Sequence, residues 1–212
     1  MTTALRDDQL DPATLKDHHT RTSITTQSGV EFFPFEPKMA DVRLEDLAHA
    51  LANKCRFTGH TRFHYSVAQH SVLVARLAWR RGMSRDLQAW GLLHDATEAY
   101  LPDVASPLKG SLGVLVDRDT PAGVFEEYEP FKVAEHRLCA TIAARFGLDC
   151  NEPPEIKVLD GQMYRAERHA LMPVVEWSTT PAPDDDVPPI LEWSIDSAEQ
   201  AFLMAAGKLG LN

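Results

Sequence analysis

Cysteine is scarce in this chain of 212 residues: only Cys55, Cys139 and Cys150 occur. The number is odd, the spacing is wide and no CxxC pair is present. That argues against a disulfide framework and for reduced thiols in a cytoplasmic compartment. Positive charge is also in short supply. Lys and Arg number 21 against 31 Asp and Glu, a formal net charge of −10. Proteins that bind a nucleic-acid polymer usually present a basic face, so such a partner is not expected. A small phosphorylated ligand remains open, because a metal ion and two or three basic side chains suffice for one phosphate. No apolar run approaches membrane-spanning length, and the polar Met1–Asp17 lacks the apolar core of a secretory signal. What is present is ordinary: 44% hydrophobic and 25% charged residues suit a globular domain with a sizeable core.

The chain is organised around Ala89-Trp90-Gly91-Leu92-Leu93-His94-Asp95-Ala96-Thr97-Glu98-Ala99-Tyr100. Leu87, Trp90, Gly91, His94 and Glu98 recur at three- and four-residue steps, which predicts the middle of a buried helix with all five on one face. An imidazole and a carboxylate on that face cost a few kcal/mol each (roughly, without partners), so their presence needs a reason. His94 and Asp95 together offer a nitrogen and an oxygen ligand on one turn.

Residues 1–22 read as a loose leader with one weak helical turn at Pro12–Lys16, and 23–212 as a single domain. Ser23–Phe35, with β-branched residues around Gln27-Ser28-Gly29, predicts a short hairpin. A helix follows from Asp41, with Leu44, Leu47, Ala48 and Leu51 on one face. Cys55–Tyr65 breaks the periodicity and mixes aromatics, arginines and histidines. It suits either a loop that grips a phosphate and stacks on a flat ring, or a linker with amphipathic anchors. Ser66 then caps a helix over Val67–Arg81 whose inward stripe is Val67, His70, Val74 and Leu77. A histidine there is either a hydrogen-bonded core residue or a ligand.

Gly82 ends that helix and Ser84 or Asp86 starts the next. Pro102 and Pro107 open an irregular stretch to about Pro130. Phe131–Phe146 is the next helix, with Val133, Leu138 and Ile142 inward and Gly147 as its stop. Pro153-Pro154 begins another, to about Met172, with a stripe of Ile156, Leu159/Asp160, Met163, Glu167 and Ala170/Leu171. Asp160 is out of place on that stripe in the way His94 is on its own. Thr179–Pro189 is acidic and proline-rich, and its three aspartates read as surface charge. Asp196 and Glu199 form a capping box for a last helix, Ser197–Leu209.

His70, His94-Asp95 and Asp160 lie on or beside the inward stripes of different helices. Two imidazoles and two carboxylates make a mixed site for one divalent cation, with Mn, Co, Fe, Ni or Zn all compatible. The order His…His-Asp…Asp resembles the HD-domain metal-dependent phosphohydrolases. Tyr65-Ser66-Val67-Ala68-Gln69-His70-Ser71, Leu92-Leu93-His94-Asp95-Ala96-Thr97-Glu98, Asp103…Pro107-Leu108-Lys109 and Asp160…Glu167…Leu171-Met172 are similar to the branch with bacterial 5′-deoxynucleotidases and viral dATP triphosphohydrolases.

That resemblance implies an all-α fold, here an HD-domain helical bundle with a short N-terminal β-hairpin. It implies one metal on His70, His94, Asp95 and Asp160, and a homodimer. It also implies that Glu98 orients or deprotonates the attacking water, that Asp103 sits near the sugar or leaving oxygen, and that Arg56 and Phe57 contact phosphate and nucleoside. Lys109 joins them as a phosphate contact from its charge and position. Binuclear relatives need further histidines after the His-Asp pair. Only His136 lies in that interval, and it reads as structural or surface; His60 and His64 either approach the phosphate or are ordinary loop residues. The expected substrate is a deoxynucleoside mono- or triphosphate. The competing expectations are a nucleotide-sensing module without turnover and a metal that merely staples the helices.

Overall fold

The computed structural model describes residues 23–101, 112–120, 123–175 and 180–212, without the side chains of 115–120 and 123–128. The predicted leader, with its helical turn, lies outside the described residues.

The fold is a bundle of helices with a small hairpin at its N-terminal side. Strands β1 (Ile24–Thr25) and β2 (Glu31–Phe32) are antiparallel, with Ile24 opposite Phe32. The hairpin is too short to hold itself together, and two contacts fix it to the bundle. The buried Asp46 carboxylate accepts from the Ser28 backbone N–H and hydroxyl, both at 2.7 Å. Phe32 stacks on Tyr100 with centroids 3.7 Å apart.

Helix α1 (Leu44–Asn53) buries Leu47, Ala48 and Leu51, as its spacing predicts. Helix α2 (Val67–Arg80) is capped by Ser66, whose hydroxyl accepts from the Gln69 N–H. Its whole predicted stripe is solvent-free: Val67, His70, Val74 and Leu77. α2 is the axis of the molecule, with α1 packed against it. So are α3 (Arg85–Leu93), α5 (Pro154–Leu171) and α6 (Ile195–Leu209). It contributes Val67 and Val72 to one apolar cluster and Leu73, Val74 and Leu77 to a second.

The α2–α3 crossing is set by Gly91. A Cβ there would lie 3.2 Å from the Ala75 backbone, so a side chain would push the helices apart by a few tenths of an ångström. That contact is three residues before His94.

Four expectations need correcting. The helix capped by Ser84 does not run through His94, Asp95 and Glu98; it stops at Leu93, and a 3₁₀ turn over Ala96–Ala99 follows. Lys54, at the end of α1, donates from its ammonium to the carbonyls of Glu98 and Leu101, which accounts for the tighter turn. The stretch expected to be irregular up to Pro130 contains a second hairpin. Its strands are β3 (Gly113–Thr120) and β4 (Gly123–Pro130), with Gly113 opposite Pro130. In α4 (Phe131–Arg145) Leu138 and Ile142 point inward but Val133 is 48% exposed, because Ala134 takes the inward place. Finally, α6 is capped by Ser194, whose hydroxyl accepts from the Ser197 N–H. Glu199 instead meets His49 at 3.1 Å, tying α6 to α1.

The aspartates of the acidic loop are engaged at the surface. Arg81 pairs with both oxygens of Asp186 at 2.7 and 2.9 Å, and Asp184 accepts from Gln162 at 2.7 Å. No helix of the described residues is long and apolar enough to cross a membrane.

Candidate metal centre

His70 enters the site from the middle of α2, and His94 from the C-cap of α3. α3 ends at Leu93, and Asp95 stands at the N-cap of the 3₁₀ turn that follows. The Asp95 carboxylate Oδ2 lies 3.3 Å from His94 Nε2 and 3.7 Å from His70 Nε2. Asp160, on α5, brings Oδ1 to 3.2 Å from His70 Nε2. Asp160 is half-exposed, so the polar edge of α5 opens to solvent beside the site and the stripe there is not fully apolar.

The tautomers of the two rings follow from their partners. His94 Nδ1 is 3.0 Å from the Gly91 carbonyl, which can only accept. His70 Nδ1 bonds Oε1 of Glu167, whose pKa is lowered, so this partner too can only accept. Each Nδ1 therefore carries the hydrogen. When both rings are neutral, as metal ligands must be, their Nε2 atoms present lone pairs that face each other at 3.1 Å. Two lone pairs at that distance repel unless something positive lies between them. Two nitrogens that each sit about 2.0–2.1 Å from one cation stand roughly 3.0–3.4 Å apart. The spacing fits, and His70, His94 and Asp95 could hold a metal ion: their ligand atoms all lie within 4.8 Å of one another.

The electrostatics also favour positive charge here. Burial would push the His94 imidazolium down, but the Asp95 charge beside it raises the pKa from 6.5 to about 9. His70 is raised too, since Glu167 and Asp160 outweigh burial and the Arg56 charge. Burial would lift the Asp95 carboxyl, yet His94 and Arg56 hold it well below the usual carboxylate range.

Arg56 belongs to the same cluster. The loop that carries it is closed at its neck by Arg56 N–H to Tyr65 carbonyl, 2.9 Å, and Val67 N–H to Lys54 carbonyl, 3.0 Å. Its guanidinium NH1 is 3.0 Å from Asp95 Oδ2, NH2 is 3.9 Å from Asp160 Oδ1, and Nε is 3.3 Å from Glu167 Oε2. The next two residues, Phe57 and Thr58, hold φ of 54° and 55°. Left-handed backbone costs an L-residue roughly 1–2 kcal/mol each. Strain of this kind persists where surrounding contacts over-determine it. Here the Phe57 ring lies under Arg56 at 5.6 Å and beside Tyr164 at 5.8 Å.

Of the other expected site residues, Glu98 is buried in the 3₁₀ turn, its N–H bonded to the Asp95 carbonyl at 3.0 Å. Asp103 and Lys109 lie outside the described residues. His64 bonds the Ala52 carbonyl at 3.1 Å, and His136 is exposed. Three residues of the site were given no role from the sequence: Tyr65, Tyr164 and Glu167. Glu167 is fully buried and bonds both His70 and Tyr65. Its signal was a carboxylate on an apolar stripe, the same signal that marks Asp160. Tyr164 is one turn beyond Asp160, and that spacing was its signal.

The fold and the site define a helical protein with a mixed nitrogen–oxygen cluster that could hold a metal ion. No family model matches the chain. It is 33% identical over 148 residues to the uncharacterized protein YfdR of Escherichia coli, spanning 70% of this chain and 71% of YfdR. A Rhodobacter capsulatus protein, the uncharacterized RCAP_rcc00048, is 34% identical over 134 residues, 61% of each chain. The chain belongs to the family of YfdR. Neither relative's name states an activity.

Proposed function

We propose that this chain is a metal-dependent phosphohydrolase that removes phosphate from nucleotides, with deoxynucleoside mono- or triphosphates as the substrate class. One observation carries the reading: the two Nε2 atoms stand 3.1 Å apart, with Asp95 and Asp160 oxygens at 3.2–3.7 Å. His70, His94 and Asp95 would hold the cation, and Asp160 completes the set. A divalent ion there supplies a Lewis acid for a phosphoryl oxygen and lowers the pKa of water.

The remaining roles belong to the chain's own residues. Arg56 sets a guanidinium at the pocket, where it offsets phosphate charge and orients the group by its planar fork. Phe57 and the partly exposed Tyr164 form an aromatic wall one helical turn from Asp160, suited to a flat ring. Glu98, close behind Asp95 in the chain, would accept a proton from the attacking water. Such chemistry is positioning and electrostatics, which a rigid buried cluster supplies.

The test is phosphate release from a panel of nucleotides with added Mn, Co, Fe, Ni or Zn. Turnover that Asp95→Ala abolishes supports the reading. No turnover with any metal, or full activity in Asp95→Ala, defeats it, and saturable binding without product then favours a sensing module. Sedimentation of the chain tests the homodimer.

A further inference from the structure

Glu167 is fully buried in α5, on the stripe with Met163 and Leu171. An ionised group in that setting costs several kcal/mol (an order-of-magnitude figure) unless it is fully partnered. Its partners come from two different segments. Oε1 accepts from the Tyr65 hydroxyl at 2.8 Å and from His70 Nδ1. Oε2 stands 3.3 Å from Arg56 Nε as an ion pair, without the alignment of a hydrogen bond.

Glu167 follows Asp160 by two helical turns, so both lie on one face of α5. Asp160 meets the His70 ring at Nε2 and Glu167 meets it at Nδ1. The ring is thus held from both ends by one helix. A simple ion pair would need one partner, and a packing position would need none. This carboxylate divides its two oxygens between the metal-facing histidine and the arginine on Asp95.

We infer that Glu167 is the positioning residue of the centre. One oxygen fixes His70 in the Nδ1–H form with Nε2 turned to the cation, and the other fixes Arg56 over Asp95. The inference rests on the metal reading above and goes beyond it. Partners of this kind set ligand orientation and basicity, and their loss costs about 10- to 100-fold in metal affinity.

Glu167→Gln keeps the shape. Its amide oxygen still accepts from His70, but the charge is gone and an NH₂ replaces the oxygen that pairs with Arg56. Tyr65→Phe removes one hydrogen bond to the same carboxylate without touching His70 or Arg56. Calorimetric titration with Mn²⁺ and Zn²⁺ on the full chain separates the roles. Affinity about 10- to 100-fold weaker in Glu167→Gln, and nearly unchanged in Tyr65→Phe, supports the inference. Equal affinity in Glu167→Gln and the unsubstituted chain overturns it while leaving the metal reading intact. An unsubstituted chain that binds neither ion overturns both. Imidazole ¹⁵N shifts of His70 in the Zn²⁺-loaded unsubstituted protein need no variant to fold: an Nδ1–H ring with Nε2 on the metal supports the assignment, and the reverse overturns it.

Discussion

The Nε2 atoms of His70 and His94 stand 3.1 Å apart, while each Nδ1 is occupied by an acceptor. This arrangement has no stabilising partner of its own within the two rings; it calls for a positive charge. A cation that binds the folded site and not the unfolded chain raises stability by about 2.7 kcal/mol at 100 times its Kd. For a chain of this size that is roughly 5–11 °C in Tm. Thermal denaturation with and without Mn²⁺ or Zn²⁺ should show that rise, and His94→Ala should abolish it.

Without added metal, pH should reveal the same charge demand. The folded His94 pKa is raised from 6.5 to about 9, with burial opposing and Asp95 driving the shift. A raised folded pKa stabilises the folded state fully below the unfolded value and loses that contribution as pH rises through the folded one. Chelated protein should therefore become less stable from about pH 6.5 to about pH 9. Urea titrations across that range check this, and His94→Gln should flatten the dependence.

Gly91 sets how closely the two histidine-bearing helices approach. A methyl group there meets the Ala75 backbone at 3.2 Å, and backbone cannot swing aside. Gly91→Ala should cost about 1–3 kcal/mol, the usual range for overpacking. It should also weaken metal binding, because the strain falls one turn before His94. Chemical denaturation and metal titration of the same variant read both effects.

Tyr164 and Phe57 should govern recognition of the flat part of the substrate. Base–aromatic stacking contributes roughly 1–3 kcal/mol per ring. Tyr164→Ala should raise KM for a nucleotide by about 5- to 150-fold at that energy, with little change for ribose 5-phosphate, which has no base. An equal effect on both substrates would place Tyr164 in the scaffold.

Much of the helical frame was legible in the sequence because period and caps agree. Ser66 and the stripe Val67, His70, Val74 and Leu77 mark α2, and of the two candidate starts for α3, Ser84 and Asp86, Ser84 is the cap. His70, His94 and Asp95 stood out because polar groups occupied apolar positions. What stayed hidden depends on distant partners or on backbone geometry. Lys54 tightens the turn after Asp95 from more than forty residues away, so periodicity alone extended α3 too far. Glu167 bonds His70 across 97 residues, and nothing in α5 by itself says what its carboxylate meets. The left-handed Phe57 and Thr58 are not coded by residue type, since both side chains disfavour that region. The second hairpin was masked by the prolines around it, although Pro121-Ala122-Gly123 between two β-rich runs is a turn signal.

The most direct measurement is anomalous diffraction from crystals soaked in Mn²⁺ or Zn²⁺. One peak should appear between His70 Nε2 and His94 Nε2, within about 2.0–2.2 Å of both and of an Asp95 oxygen. Crystals that take up metal only elsewhere, with the two imidazoles still facing each other across an undisturbed contact, would contradict the account.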